Sequence, residues 1–371
     1  MNRSQGPSVL FGPEIWNLQQ QGGVSRYVKE LINNMSLIND SVKAVIPETD
    51  NIYAREISNR IKISSDQFDN FVNKPNFDGL FNGNGNIYHA TYFSEFGLSA
   101  MKRRGAHVVV TVHDMISELF PDRPPLFRRR NNEKERAIQI ADHIVCVSQT
   151  SANDLARIFR VSNEKISITY PGTSFGGFTK QIDNDLLGIS PFLLYVGNRN
   201  KYKNFKRLIM ALSGSKIFMS DFKLVAFGGG SFSKSEIAFL KELGMWAHVI
   251  HVEGNDSKLF DYYSCAKSLI YPSIYEGFGL PPIEAMASGC PAIVSSGGSI
   301  PEVCGDAAVY FDPYNLHNIR NVIEETIQND ELLSNLSKFG RIHALEFSWE
   351  NTAVNTLRAY DKLISAQNEK K

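Results

Sequence analysis

Cysteine is scarce in this chain, and what there is forms no pattern. Cys146, Cys265, Cys290 and Cys304 are scattered, without the short spacings that hold a metal. Three of them stand in or beside apolar segments, as buried thiols do. A cytosolic protein without structural disulfides is expected. Net charge is absent too. The 39 Lys and Arg balance 39 Asp and Glu, which removes bulk attraction to nucleic acid or an anionic membrane. No apolar run reaches the roughly 18 residues that span a bilayer. Met1 to Gly12 has no apolar secretory core. No internal repeat stands out. What the chain has is 371 residues, 43% of them hydrophobic, enough to build two ordinary domains with substantial cores.

Short apolar runs alternate with helical patterns. In the first half the runs are Ser8 to Gly12, Val42 to Ile46, Ile87 to Ala90, Val108 to Val112, His143 to Val147 and Ile166 to Tyr170. In the second they are Phe192 to Val196, Leu224 to Phe227, Val249 to Val252, Ser268 to Tyr271, Pro291 to Ser295 and Ala308 to Phe311. Runs this continuous suit parallel strands covered on both faces, in an α/β fold. Val24, Tyr27, Val28, Leu31, Ile32 and Met35 recur at helical spacing. Further helices are expected near Ser257 to Cys265, Asn315 to Gln328 and Glu331 to Leu345, with a last amphipathic one ending near Ile364. Residues 51 to 86 are polar and weakly periodic. They read as a turn-rich excursion ending in Asn82-Gly-Asn-Gly-Asn86, and not as a phosphate loop. Residues 172 to 190 read as a linker.

Ligands of parallel sheets lie just past the carboxyl ends of the strands. Four strand ends carry suitable chemistry. The stretch Tyr271–Cys290 passes from a strand through a loop with Gly277 and Gly279 into a helix opened by Pro281 and Pro282, where a missing N–H is harmless. Free amides and the helix dipole make such a place hospitable to an anion. Glu276 and Glu284 frame it. Their spacing alone means little, since Glu48 and Glu56 have the same separation. A carboxylate before the loop suits sugar hydroxyls, and one on the helix suits a ribose diol. After Val196, the segment Gly197-Asn-Arg-Asn-Lys-Tyr-Lys-Asn204 brings three cations to a strand-to-helix junction. His113-Asp114 follows another strand. Gln21-Gly-Gly-Val-Ser-Arg26 gives the first half its own glycine turn before a helix.

The segment EGFGLPPIEAMASGCPAI, from Glu276 to Ile293, resembles the E-x7-E signature of glycosyltransferase family 4, retaining enzymes of the GT-B fold. The resemblance extends over nearly the whole chain. It implies two Rossmann-like domains facing across a cleft, with a C-terminal helix that crosses back to the first domain. The expected boundaries are 1–175 with 350–371 for an acceptor-side domain and 176–349 for a nucleotide-sugar-binding domain. The resemblance also implies roles. Arg199 and Lys203 match the basic pair that binds the donor diphosphate, although the usual Arg-Lys-Asn is Tyr-Lys-Asn here and the arginine comes from a shifted position. Glu276 holds the sugar, Glu284 the ribose, and His113 touches the sugar or places the acceptor. Gly22, Gly23, Gly228, Val252, Gly277, Phe278, Gly279 and Leu280 line the donor. Gly297-Gly-Ser-Ile-Pro-Glu302 resembles another segment near that site.

No metal and no cofactor are expected. Asp183-Asn-Asp185 matches the D-x-D metal motif of another glycosyltransferase fold, but it lies in a polar linker and not at a strand end. The Gly-Asn-Arg and Tyr-Lys-Asn variant and the His-Asp strand end look like bacterial mannosyltransferases of O-antigen and polysaccharide assembly. That favours a GDP-linked donor, GDP-mannose or a GDP-deoxysugar, and a glycan or lipid-linked acceptor. UDP-sugars remain open. So do two other classes, a GT-B epimerase and a binding protein without catalysis. The arginine run Arg128 to Arg130 either solvates a helix face or meets the phosphates of a lipid-linked acceptor at the membrane. Both readings stand, so peripheral membrane association is left open for a cytoplasmic enzyme.

Overall fold

The computed structural model describes residues 6–63, 85–120, 125–178, 188–189, 191–199 and 201–368. The Asp183–Asp185 run, most of the expected linker and Asn82 to Asn84 lie outside these residues. The chain divides into two compact units, Met1–Gly172 with Trp349–Lys371, and Thr173–Ser348.

Among the described residues the first unit holds a seven-stranded parallel sheet: β1 (Ser8–Phe11), β2 (Val42–Pro47), β3 (Arg60–Ile63), β4 (Asn86–Ala90), β5 (His107–Val112), β6 (His143–Cys146) and β7 (Ile166–Ile168). Their order is β3-β2-β1-β4-β5-β6-β7. The chain builds outward from β1 in one direction, then returns to lay β4 on its other side. Helix Gly23–Ile38 buries Tyr27, Val28, Leu31, Ile32 and Met35, five of the six positions that the helical spacing marked, and leaves Val24 half-buried. It packs on the C-terminal helix Trp349–Asn368, which belongs to this unit.

The second unit holds six parallel strands among its described residues: β8 (Phe192–Val196), β9 (Lys223–Phe227), β10 (Val249–Val252), β11 (Ser268–Tyr271), β12 (Ala292–Ser295) and β13 (Ala308–Phe311). Their order is β10-β9-β8-β11-β12-β13. Every residue of β8 is buried. Leu193 and Tyr195 join a core cluster with Leu224, Ile270, Phe205, Leu208, Ile319 and Ile323. Phe192, Leu194 and Val196 point to the other face and are buried there. Covering both faces is why the strand reads as an unbroken apolar run.

One expectation needs correction, and two helices add to the reading. Residues 51 to 86 are not wholly an excursion, because Arg60–Ile63 forms edge strand β3, with Ala44 opposite Arg60 and Pro47 opposite Ile63. An edge strand of four residues tolerates charge, and Arg60-Ile-Lys-Ile63 carries two cations that broke the apolar pattern. Helices Glu95–Arg103 and Lys234–Glu242 were not expected. Each opens on a serine cap, with Ser94 accepting from the Gly97 amide and Ser233 from the Glu236 amide.

Candidate active site

In each sheet the strand order reverses at one place, and in such sheets ligands bind there, at the carboxyl ends of the two central strands. In the second unit it lies between β8 and β11. Lys203 follows β8 and Glu276 follows β11. Lys203 Nζ stands 2.8 Å from Glu276 Oε1, with both side chains nearly buried. The pair therefore bridges the reversal point. Lys203 Nζ also donates to the Tyr271 hydroxyl at 3.0 Å. A backbone bond fixes the two loops together, the Ile274 amide donating to the Tyr202 carbonyl at 2.7 Å. Burial works against the charge on Lys203. The Glu276 carboxylate, with Tyr271 and Tyr202 beside it, nonetheless holds the ammonium well above the usual lysine range. Burial, reinforced by Glu276, pushes the Tyr271 phenol up.

The loop after Glu276 is held from below. The Ser299 hydroxyl lies 3.0 Å from both the Glu276 and Phe278 carbonyls, which share its one proton. Gly297 and Gly298 lie against residues 274 to 276 with no room for a side chain, so the Gly297–Glu302 segment supports the site from its floor. Gly277 is buried. Phe278 packs edge-on to Phe347. Gly279 takes φ +90°, a conformation only glycine adopts cheaply, and starts the helix Leu280–Ala287. No side chain caps that helix, and with Pro281 and Pro282 in its first turn the amides there that could meet an anion come down to Leu280 and Ile283. Glu284, on the same helix, is buried and accepts from the Tyr263 hydroxyl at 3.2 Å.

Arg199 is placed differently from Lys203. Its Nε lies 2.7 Å from Glu236 Oε1, its Nη1 donates to the Gly228 carbonyl at 3.1 Å, and its Nη2 donates to the Gly230 and Ser231 carbonyls at 2.6 and 3.2 Å. The structure thus brings Lys203 and Glu276 together and directs Arg199 to the glycine turn after β9. Val252 ends β10, and its carbonyl accepts from the Gly228 amide at 2.8 Å.

In the first unit the reversal lies between β1 and β4. Gly22 and Gly23 follow β1, at the start of helix Gly23–Ile38, and a side chain on Gly23 would meet only open space. Gln19 Oε1 accepts from the Ser25 amide at 3.2 Å. His113 follows β5, edge-on to Tyr27 of that helix with ring centroids 4.8 Å apart. Burial lowers the His113 pKa to about 4, with Asp114 opposing and Lys134 adding to the fall. The imidazole is therefore neutral near pH 7.

Four residues around these crevices were missed by sequence reasoning. Glu14, after β1, accepts from the Tyr88 hydroxyl at 2.5 Å and from the Thr91 amide at 3.0 Å, and burial raises its pKa. It bridges the first reversal point as Lys203 and Glu276 bridge the second. Tyr271 was read only as a strand end. Tyr263 carried no local signal. Glu236 did carry one, since Ser233 and Glu236 have the spacing of a reciprocal helix cap, and that cap is formed. Among the described residues no group of three or more His, Cys, Asp or Glu could hold a metal ion. The four cysteines are free. No helix among the described residues is long and apolar enough to cross a membrane.

Two Rossmann-like units, with a basic residue facing a carboxylate at a strand-order reversal, fit a glycosyltransferase of the GT-B fold. The comparisons agree. Residues 21–174 match the family model described as Glycosyltransferase Family 4, and residues 180–343 match the one described as Glycosyl transferases group 1. The chain is 30% identical over 290 residues to O-antigen chain mannosyltransferase B of Escherichia coli, covering 75% of this chain and 74% of that protein. It is 27% identical over 303 residues to the MMP alpha-(1->4)-mannosyltransferase of Mycolicibacterium hassiacum, covering 76% and 72%. In fold it resembles sucrose-phosphate synthase of Thermosynechococcus elongatus, with a TM-score of 0.75 at 19% identity over 96% of this chain and 99% of that one. The chain belongs to glycosyltransferase family 4.

Proposed function

We propose that this glycosyltransferase moves mannose, or a related deoxysugar, from a GDP-linked donor to a glycan or lipid-linked oligosaccharide of a bacterial surface polysaccharide, with retention of anomeric configuration. The observation that carries the reading is the Lys203–Glu276 pair at the β8–β11 reversal, beside an uncapped helix start. The names of the mannosyltransferase relatives support the choice of sugar.

In this reading the second unit binds the donor. The β-phosphate gains negative charge as the bond from C1 of the sugar to the phosphate oxygen breaks. Lys203 and the amides of the Gly277–Leu280 turn offset that charge. Glu276 holds sugar hydroxyls and orients the ring, and Glu284 binds the ribose diol. The acceptor hydroxyl bonds to C1 on the face the phosphate leaves, and its proton passes to the departing phosphate oxygen. No protein nucleophile and no metal take part. The first unit carries the acceptor, with His113 offering a neutral imidazole that both donates and accepts.

The test is turnover of GDP-mannose with a series of mannose-containing oligosaccharides, read as GDP release and as the anomeric proton of the product. Release of GDP with an α-linked product is expected. Turnover of UDP-sugars only would overturn the donor, and a β-linked product would overturn retention. A sugar covalently trapped on Glu276 would overturn the front-face route.

A further inference from the structure

We propose that Arg199 and Glu236 form a clamp that fixes the Gly228–Gly230 turn, and that this turn, and not the guanidinium, is what the bound nucleoside diphosphate meets. The inference rests on the donor reading of the second unit, and it replaces direct phosphate binding by Arg199 with a positioning role.

The turn needs a clamp. Gly228, Gly229 and Gly230 have φ of +79°, +78° and +74°, three consecutive residues in the left-handed region. Glycine reaches that region without strain but leaves it as easily, so the run does not hold itself. It is tight only at its centre, since side chains on Gly228 and Gly230 would meet open space. A Cβ on Gly229 would stand 2.8 Å from the Gly197 carbonyl oxygen and 2.9 Å from the Asn198 Cα. The turn is stitched to the neighbouring strand ends, the Gly197 amide donating to Phe227 at 3.0 Å and the Gly228 amide to Val252 at 2.8 Å. It is thus the middle plank between the loop that carries Lys203 and the loop after β10.

Arg199 supplies the hold. Its planar fork reaches the Gly228, Gly230 and Ser231 carbonyls while its Nε faces Glu236. The side chain is 4% exposed, and its guanidinium lies 4.6 Å from the centre of the Phe232 ring. Reaching a phosphate would break all of these contacts together. Glu236 is itself fixed. One oxygen faces Arg199, and the other accepts from the amide and hydroxyl of Ser233.

The two roles predict opposite signs for Glu236→Gln, with GDP as the probe in titration calorimetry on the full chain. Glutamine keeps the serine cap but has a single acceptor oxygen, which cannot serve both Ser233 and Arg199. If Arg199 bound phosphate, removing the nearby negative charge would tighten GDP. The clamp predicts the reverse, a weakening of about tenfold. Arg199→Lys keeps the charge and loses the fork, so it should weaken GDP nearly as much as Arg199→Ala. The double variant Arg199→Ala, Glu236→Gln should be no weaker than Arg199→Ala alone. In turnover the donor KM should rise while the acceptor KM stays. Tighter or unchanged GDP binding in Glu236→Gln, or wild-type binding in Arg199→Lys, would overturn the clamp. These two variants decide the matter even where Arg199→Ala does not fold. Lys203→Ala serves as the separate control. Undiminished GDP binding there would remove the donor reading itself, whatever the clamp variants show.

Discussion

Gly298 lies directly against Glu276. At φ +58°, a Cβ on Gly298 would stand 2.7 Å from the Glu276 amide nitrogen and 2.9 Å from its carbonyl oxygen. Gly298→Ala therefore adds both left-handed strain and a clash with backbone. It should lower stability by about 1–3 kcal/mol and shift the carboxylate beside Lys203. Urea unfolding and donor KM read the two effects. An alanine variant as stable and as active as wild type would show that the floor of the site yields freely.

Lys203→Ala removes the cation at the reversal point and leaves Glu276 buried without its partner. Loss of kcat by about 10²–10³ is expected, as for other charge-stabilising donors. Turnover near the wild-type rate would place the diphosphate elsewhere.

The raised pKa of Lys203 sets a pH expectation. A lysine held above its unfolded value gives its full stabilisation below that value, and loses it only as pH climbs through the folded value. Between pH 6 and 9 it is always charged. Affinity for GDP should show no lysine titration in that window, and calorimetry at several pH values checks this. A fall in affinity between pH 8 and 9 that disappears in Lys203→Ala would contradict it.

The histidines of the first unit work in the opposite sense. Burial lowers His89 to about 3, and His113 and His143 to about 4 each. The unfolded chain then takes up protons first. Stability should be complete above about pH 6.5, the ordinary histidine value, and should fall as pH drops toward 4. Thermal unfolding from pH 7.5 to 4.5 tests this, and a melting temperature that rises toward pH 5 would refute it. His113 is also neutral at working pH. A rate profile with a break near pH 6.5 that vanishes in His113→Gln would contradict its role as an uncharged hydrogen-bonding group.

Glu284 accepts from Tyr263 and, in the proposed reading, from ribose. Glu284→Ala should raise donor KM about 10- to 100-fold, the worth of one charge-assisted bond, with a smaller change in kcat. Steady-state kinetics separates the two, and a change confined to kcat would argue against ribose binding.

Much of this was legible before any coordinates. Continuous runs such as Phe192–Val196 announce strands covered on both faces, and the Glu276–Glu284 segment announces the strand-to-helix junction after β11. The rest depends on contacts that sequence does not carry. Arg199 and Glu236 lie 37 residues apart, and nothing local couples them. A basic residue after a strand reads as a phosphate ligand, and only the structure shows the carboxylate and carbonyls that Arg199 meets. Strand β3 escaped because Arg60 and Lys62 interrupt it, and an edge strand can be that polar. Helix Lys234–Glu242 escaped although its capping pair was present in the sequence.

The central claim is that a nucleoside diphosphate, GDP in particular, binds at Lys203 and Glu276. Thermal shift of wild type and Lys203→Ala with GDP, UDP, ADP and their sugar conjugates tests it most directly, since a ligand that prefers the folded state raises the melting temperature. The account predicts a rise with GDP and GDP-mannose in wild type that is lost in Lys203→Ala. No rise with any nucleotide, a rise with UDP compounds alone, or a rise that survives in Lys203→Ala would contradict it.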